Sequence, residues 1–104
     1  MLIYNVTSKV EARQHAAWLS WMERTYLPAV MESGTVEKYH LTRLLGVDDT
    51  EGPTYALLMT FKSRVVFDIY QEKFALSHQK AVKEKWGEGV LSFPSILDLV
   101  LKKE

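Results

Sequence analysis

Two stretches, TYALLMTF at Thr54–Phe61 and VLSFPSILDLVL at Val90–Leu101, are apolar on both faces of an extended chain. Side chains alternate across a strand. In the first stretch Tyr55, Leu57, Met59 and Phe61 share one face, and Ala56 and Leu58 take the other with Thr54 and Thr60. In the second, Leu91, Phe93, Leu97, Leu99 and Leu101 share a face, while Val90, Ile96 and Val100 lie opposite with Pro94. A strand with one wet face alternates apolar and polar residues. These two do not, so both of their faces require cover.

The rest of the chain supplies cover for one face. Leu2–Thr7 reads as a strand of β-branched and aromatic residues. Ser8 precedes Glu11 by three, the spacing of a capping box, and opens a helical segment to about Glu32 that Gly34 closes. Pro28 lies inside this segment and predicts a kink or break near Thr25–Leu27, because it lacks an amide and crowds the preceding turn. Val36–Leu45 reads as a second strand, joined to Thr54–Phe61 through the polar loop GVDDTEGP. Ser63 caps a second helix to about Trp86, which Gly87 and Gly89 stop, and Val90–Leu101 is the last strand.

The order is β-α-β-β-α-β, the split βαβ or ferredoxin-like arrangement. It predicts one α+β domain over 1–104, a four-stranded antiparallel sheet with two helices on one face. Strands one and three are central, and Pro94 falls on an edge strand, where a proline is tolerated. Two helices cover one sheet face, so the second apolar face predicts a homodimer that pairs through the sheet.

Composition narrows the function classes. The 104 residues suit one domain. With no cysteine, disulfides, thiolate metal sites and cysteine nucleophiles are excluded. The 13 basic and 13 acidic residues balance, with no basic stripe for nucleic acid. The opening MLIYNVTSKV lacks a charged region followed by a long apolar run, so no signal peptide is expected, and no apolar run reaches membrane-span length. A cytoplasmic protein that binds neither nucleic acid nor membrane is expected. The three histidines lack a helical partner at metal spacing, and the run Asp48, Asp49, Glu51 lacks the spacing of a calcium loop. No metal site is expected, and no phosphate loop or nucleophile elbow is present.

On a helical wheel Trp18, Leu19, Met22, Tyr26, Ala29 and Val30 form the buried stripe of the first helix. His15 falls on that stripe, and Trp21 on its shoulder, which predicts a pocket rim, a subunit contact or a place under the Pro28 bend. On the second helix the stripe is Val66, Phe67, Tyr70, Phe74, Ser77 and Ala81, bordered by His78.

YNVT (Tyr4–Thr7), WLSWM (Trp18–Met22) with Pro28 following, RLLG (Arg43–Gly46), TY (Thr54–Tyr55) and YQEK (Tyr70–Lys73) occur in order over nearly the whole chain. Together they resemble a family of small uncharacterised bacterial proteins, a domain of unknown function. That family in turn resembles the dimeric α/β-barrel superfamily, which implies two ferredoxin-like subunits paired through their sheets. The chain departs from the pattern at Phe93-Pro94-Ser95, where an Arg-Thr pair is expected after the phenylalanine, and at Tyr26, where histidine is common.

Two residue sets carry candidate chemistry. The resemblance to haem-degrading monooxygenases of the superfamily implies Asn5, Tyr70 and His78 as a catalytic set, with His78 as iron ligand and Tyr70 in place of a tryptophan. The plainer reading makes Asn5 a partner for a strand-end backbone group, Tyr70 core, and His78 a solvated helix-border residue. The second set is His15, Trp18, Tyr26 and His40, with Trp21 nearby, which line a cleft for a small apolar or aromatic ligand if His40 points toward the helices. Its plainer reading is core packing. The expectation is a small-molecule-binding or cofactor-free oxygenase-like domain. A non-catalytic dimerisation or regulatory module is the alternative, and a haem-binding or haem-degrading protein a third.

Overall fold

The computed structural model describes residues 1–104. Four strands, β1 (Leu2–Val10), β2 (Lys38–Arg43), β3 (Thr54–Phe61) and β4 (Val90–Asp98), form one antiparallel sheet in the order β2-β3-β1-β4. Two helical runs connect them. The first, α1, is a short 3₁₀ turn Ala12–Gln14, then α-helix His15–Trp21, a π-helical turn Met22–Tyr26 and α-helix Leu27–Glu32. The second, α2, is α-helix Arg64–Tyr70, a π-helical turn Gln71–Ala75 and α-helix Leu76–Trp86. This is the ferredoxin-like β-α-β-β-α-β order, with β1 and β3 central as expected.

Strand parity fixes everything above the sheet. Leu2, Tyr4, Ser8 and Val10 on β1 and Tyr55, Leu57, Met59 and Phe61 on β3 are buried. Trp18, Met22, Leu27 and Val30 of α1 and Phe67, Tyr70, Ala75 and Trp86 of α2 join them in one core. Their register partners extend this face to Tyr39 and Leu41 on β2 and to Val90, Ser92, Pro94 and Ile96 on β4. Ile3, Asn5, Thr7 and Lys9 face away, beside Leu91, Phe93, Ser95 and Leu97. No helix covers that second face, and Phe93 is 62% exposed on it.

Several local expectations hold. Ser63 is extended and its hydroxyl accepts from the Val66 amide at 3.2 Å, starting α2. Gly34 (φ +73°) ends α1 and Gly87 (φ +59°) ends α2, each in a left-handed conformation that glycine adopts without a Cβ penalty.

Others are corrected. Ser8 does not cap a helix: β1 continues through it to Val10, and its hydroxyl pairs with Ser92 across the sheet at 2.9 Å. Glu11 makes no reciprocal cap and instead pairs with Arg13 at 2.9 Å. β2 is shorter than Val36–Leu45, and β4 stops at Asp98 rather than Leu101. Pro28 does not break α1. The amide of Leu27 reaches back five residues to the Met22 carbonyl, a π-type bond, so the wider turn takes up the crowding that the proline ring imposes.

The π turns also re-aim the helices. Each inserts one residue into the stripe, so the residues beyond it meet the sheet one position later. On α1 Leu27, one position after Tyr26, joins Tyr26 and Val30 in the core, and the expected Ala29 is exposed. On α2 the inward positions become Ala75, His78, Val82 and Trp86, and the expected Ser77 and Ala81 face solvent.

Candidate functional site

A cavity of about 250 Å³ opens between sheet and helices, lined by Tyr4, Val6, Tyr26, Tyr70, Ala75, Gln79, Val82, Val90, Ser92 and Pro94. Beside it lies a smaller void of about 30 Å³ among Trp18, Met22, Leu41, Tyr55 and Leu57. Val6, Tyr26, Val82 and Ser92 border both. No charged side chain lines either one.

Tyr70 and His78 meet at the helix side of this region. The Tyr70 hydroxyl and His78 Nδ1 are 2.9 Å apart, and the rings lie 5.6 Å apart. The contact exists because the π turn Gln71–Ala75 swings His78 inward, behind Tyr70 and edge-on to Tyr26 at 5.9 Å. Burial lowers the His78 pKa and so favours the neutral imidazole. Burial also raises both phenols, first through desolvation and then through neighbouring tyrosines: Tyr26 is pushed up to about 12, and Tyr70 moves in the same direction. The smaller contribution comes from Tyr4 at Tyr26, and from Tyr26 and Tyr4 at Tyr70. Tyr26 and Tyr70 are protonated at neutral pH.

The other candidates divide. Asn5 is separated from Tyr70 and His78 by the sheet: it pairs with Leu58 and Ser95 on the face without helices, and its amide donates to Thr7 at 3.1 Å. His40 pairs with Leu58 on that same face and is exposed, so it does not line the cleft. Strand parity is the reason, because Tyr39 and Leu41 take the helix-facing positions of β2. His15 is half-buried, with Nε2 2.6 Å from the Tyr55 hydroxyl, and Trp18 packs on Tyr55 at 4.9 Å with 1% of its surface exposed. These three belong to one packed cluster, in which Trp18 touches only the smaller void. Trp21 packs against Tyr26 at 5.4 Å and edge-on against Trp86 at 5.8 Å.

Two residues the sequence reading passed over complete the picture. Tyr4 lies in the strand motif YNVT on the same face as Leu2 and Val6, and that alternation was its available signal. Trp86 ends α2 and is the partner that gives Trp21 its place. Its position as the last residue before Gly87 hid it among helix-stop residues.

The chain is an α+β protein with the ferredoxin-like fold, which it shares with solved structures at low sequence identity. A dimeric ferredoxin-like protein from an uncultured marine organism superposes with a TM-score of 0.72 at 13% identity, over 98% of this chain and 97% of that one. A MhuD mutant with two manganese protoporphyrin IX bound per active site gives 0.72 at 13% identity, over 100% and 99%. An antibiotic biosynthesis monooxygenase gives 0.65 at 13% identity, over 97% and 100%. The chain belongs to the family described as domain of unknown function DUF4286, whose sequence profile matches residues 1–100. No curated protein matches the sequence significantly.

The three residues of the haem-type set do not converge on the cavity: His78 is not among its lining residues, and Asn5 lies across the sheet. At about 250 Å³ the cavity is also below the roughly 300 Å³ at which drug-sized pockets begin. No group of three or more His, Asp or Glu side chains is positioned to hold a metal ion.

The Tyr70–His78 contact has a pH signature. Folding favours neutral His78, so its contribution is complete above the unfolded pKa near 6.5 and declines as pH falls through that value toward the lower folded one. His78→Phe keeps the ring packing and removes both the titration and the hydrogen bond. In urea unfolding at pH 7.5 the wild type exceeds the variant by about 1 kcal/mol, the typical worth of one hydrogen bond. The gap closes toward pH 5.5; a gap that is constant or widens contradicts the assignment.

Proposed function

We propose that the chain is a cytoplasmic homodimeric small-molecule-binding domain over 1–104, with its ligand site in the cavity between sheet and helices. The observation that carries this reading is the cavity itself: apolar walls, a few convergent polar groups and two π turns at its border. Ligand pockets have this composition, and π turns inside α-helices are frequent at functional sites. An engineered apolar cavity of about 150 Å³ takes benzene, which sets the scale of occupant here at one or two rings.

Ligand binding to the folded state raises the melting temperature by mass action. Toluene-saturated buffer raises the Tm of the wild type by a few degrees. Val82→Phe, which grows a ring from the cavity wall, removes that shift while keeping the fold by circular dichroism. Equal shifts in both proteins, or none in either, contradict the reading.

The monooxygenase among the structural neighbours supports an oxygenase-like extension, in which the bound molecule is oxidised without a tightly held cofactor. Oxygen uptake by ligand-loaded protein is its readout; a flat trace with the ligand bound reduces the protein to a binding domain.

The dimer is supported by the sheet's second face. Leu91, Phe93 and Leu97 are exposed there beside half-buried Ile3 and Leu58, an apolar surface that one chain leaves open. A neighbour described as dimeric shares the fold. Pairing of two such faces also gives a non-catalytic module its purpose. Sedimentation equilibrium at micromolar concentration gives twice the 12.0 kDa chain mass, and Phe93→Asp shifts it toward 12.0 kDa. A wild-type mass of one chain contradicts the dimer.

A further inference from the structure

Three tyrosines border the cavity, and they are not equivalent. Tyr70 has a fixed partner in His78 at 2.9 Å. The hydroxyls of Tyr4 and Tyr26 have no hydrogen-bond partner within the protein; both rings are almost fully buried, but neither oxygen is sealed from solvent, and both residues line the cavity. The two hydroxyls therefore have bonding capacity that the protein alone does not use.

The chemistry of that capacity is constrained. Burial raises the Tyr26 phenol to about 12 and moves Tyr70 the same way, so both keep their protons at neutral pH. A tyrosine hydroxyl is an O–H donor, and Tyr4 and Tyr26 each bring one to the cavity wall. No charged side chain lines the cavity, so an ionic ligand would lose its hydration without an opposing charge. Gln79 and the Ser92 hydroxyl, which is shared with Ser8, are the remaining polar groups on the wall.

We propose that the cavity selects an uncharged molecule of one or two rings that carries a carbonyl-type acceptor oxygen, held by donated hydrogen bonds from Tyr26 and Tyr4. Tyr70, tied to His78, positions the third side of the cluster. This rests on the reading of the cavity as a ligand site and adds the chemical class that the site prefers. It assigns Tyr4 a binding role and makes Tyr26 a ligand contact rather than core.

The test uses three probes of similar size: acetophenone, which has an acceptor oxygen, ethylbenzene, which lacks it, and benzoate, which is charged. Affinities are read from chemical-shift titrations of the full chain. Acetophenone is expected to bind about tenfold more tightly than ethylbenzene, a difference of about 1.4 kcal/mol, and benzoate to bind more weakly than either. Tyr26→Phe and Tyr4→Phe keep the rings and remove one donor each. Both are expected to weaken acetophenone severalfold and leave ethylbenzene unchanged. Equal affinity of the two neutral probes, with no response to either variant, overturns the donor assignment and leaves the cavity as a plain apolar site. A preference for benzoate overturns it as well. Failure of every probe to bind overturns both the donor assignment and the reading it rests on. Unchanged amide spectra of the ligand-free variants verify that their fold is retained.

Discussion

One sheet and two helices cannot bury two apolar sheet faces, and the rest of the structure follows from which face is buried. The odd–even alternation of β1 decides it. Leu2, Tyr4, Val6, Ser8 and Val10 turn to the helices, and Ile3, Asn5, Thr7 and Lys9 turn away. Register then passes the choice to the other strands, giving Leu57 and Met59 to the core and Leu58 to the open side. A slip of one residue would exchange the faces completely, so the apolar pattern specifies the register strongly. The same choice sets the site's chemistry: it brings Tyr4 under the helices and removes Asn5 and His40 from them.

The second constraint is helical pitch. A regular 3.6-residue repeat from Trp18 through Met22 would bring Ala29 to the sheet, and from Tyr70 through Phe74 it would bring Ser77 and Ala81. Each helix widens by a π turn instead. Leu27 and Val30 then pack in α1, and Ala75, Val82 and Trp86 in α2. Ala75 and Val82 line the cavity from α2, facing Val6, Ser92 and Pro94 on the strands. Small side chains on both walls leave a space that core aromatics fill elsewhere in the molecule. The same shift seats His78 on Tyr70.

Much of the fold was legible because its signals are local. The limits of β3, the Ser63 cap, the glycine stops at Gly34 and Gly87 and the edge position of Pro94 all follow from residue chemistry at one position. What was not legible depends on partners far away in sequence. Ser8 and Glu11 have capping-box spacing, yet the Ser8 hydroxyl is taken by Ser92, 84 residues away, and the strand continues. Pro28 announces a disturbance in α1, but its form is set by the Met22 carbonyl that Leu27 reaches. The π turn of α2 has no proline to announce it, so every wheel position beyond Phe74 was read one residue early. Of the candidate site residues, Tyr26 and Tyr70 reach the cavity and His78 supports it from behind. His15 and Trp18 pack around Tyr55, and Tyr4 came into view only when the strands were paired.

An unfilled, uncharged space between sheet and helices, bounded by tyrosine and by small residues, is the centre of this account. Xenon reports on such a space without regard to hydrogen bonding, because it enters apolar cavities and avoids packed ones. A crystal pressurised with xenon should show an atom between Val6, Val82 and Pro94, near the Tyr26 ring. Density confined to the surface or to other voids, with this region filled by side chains, would contradict the account.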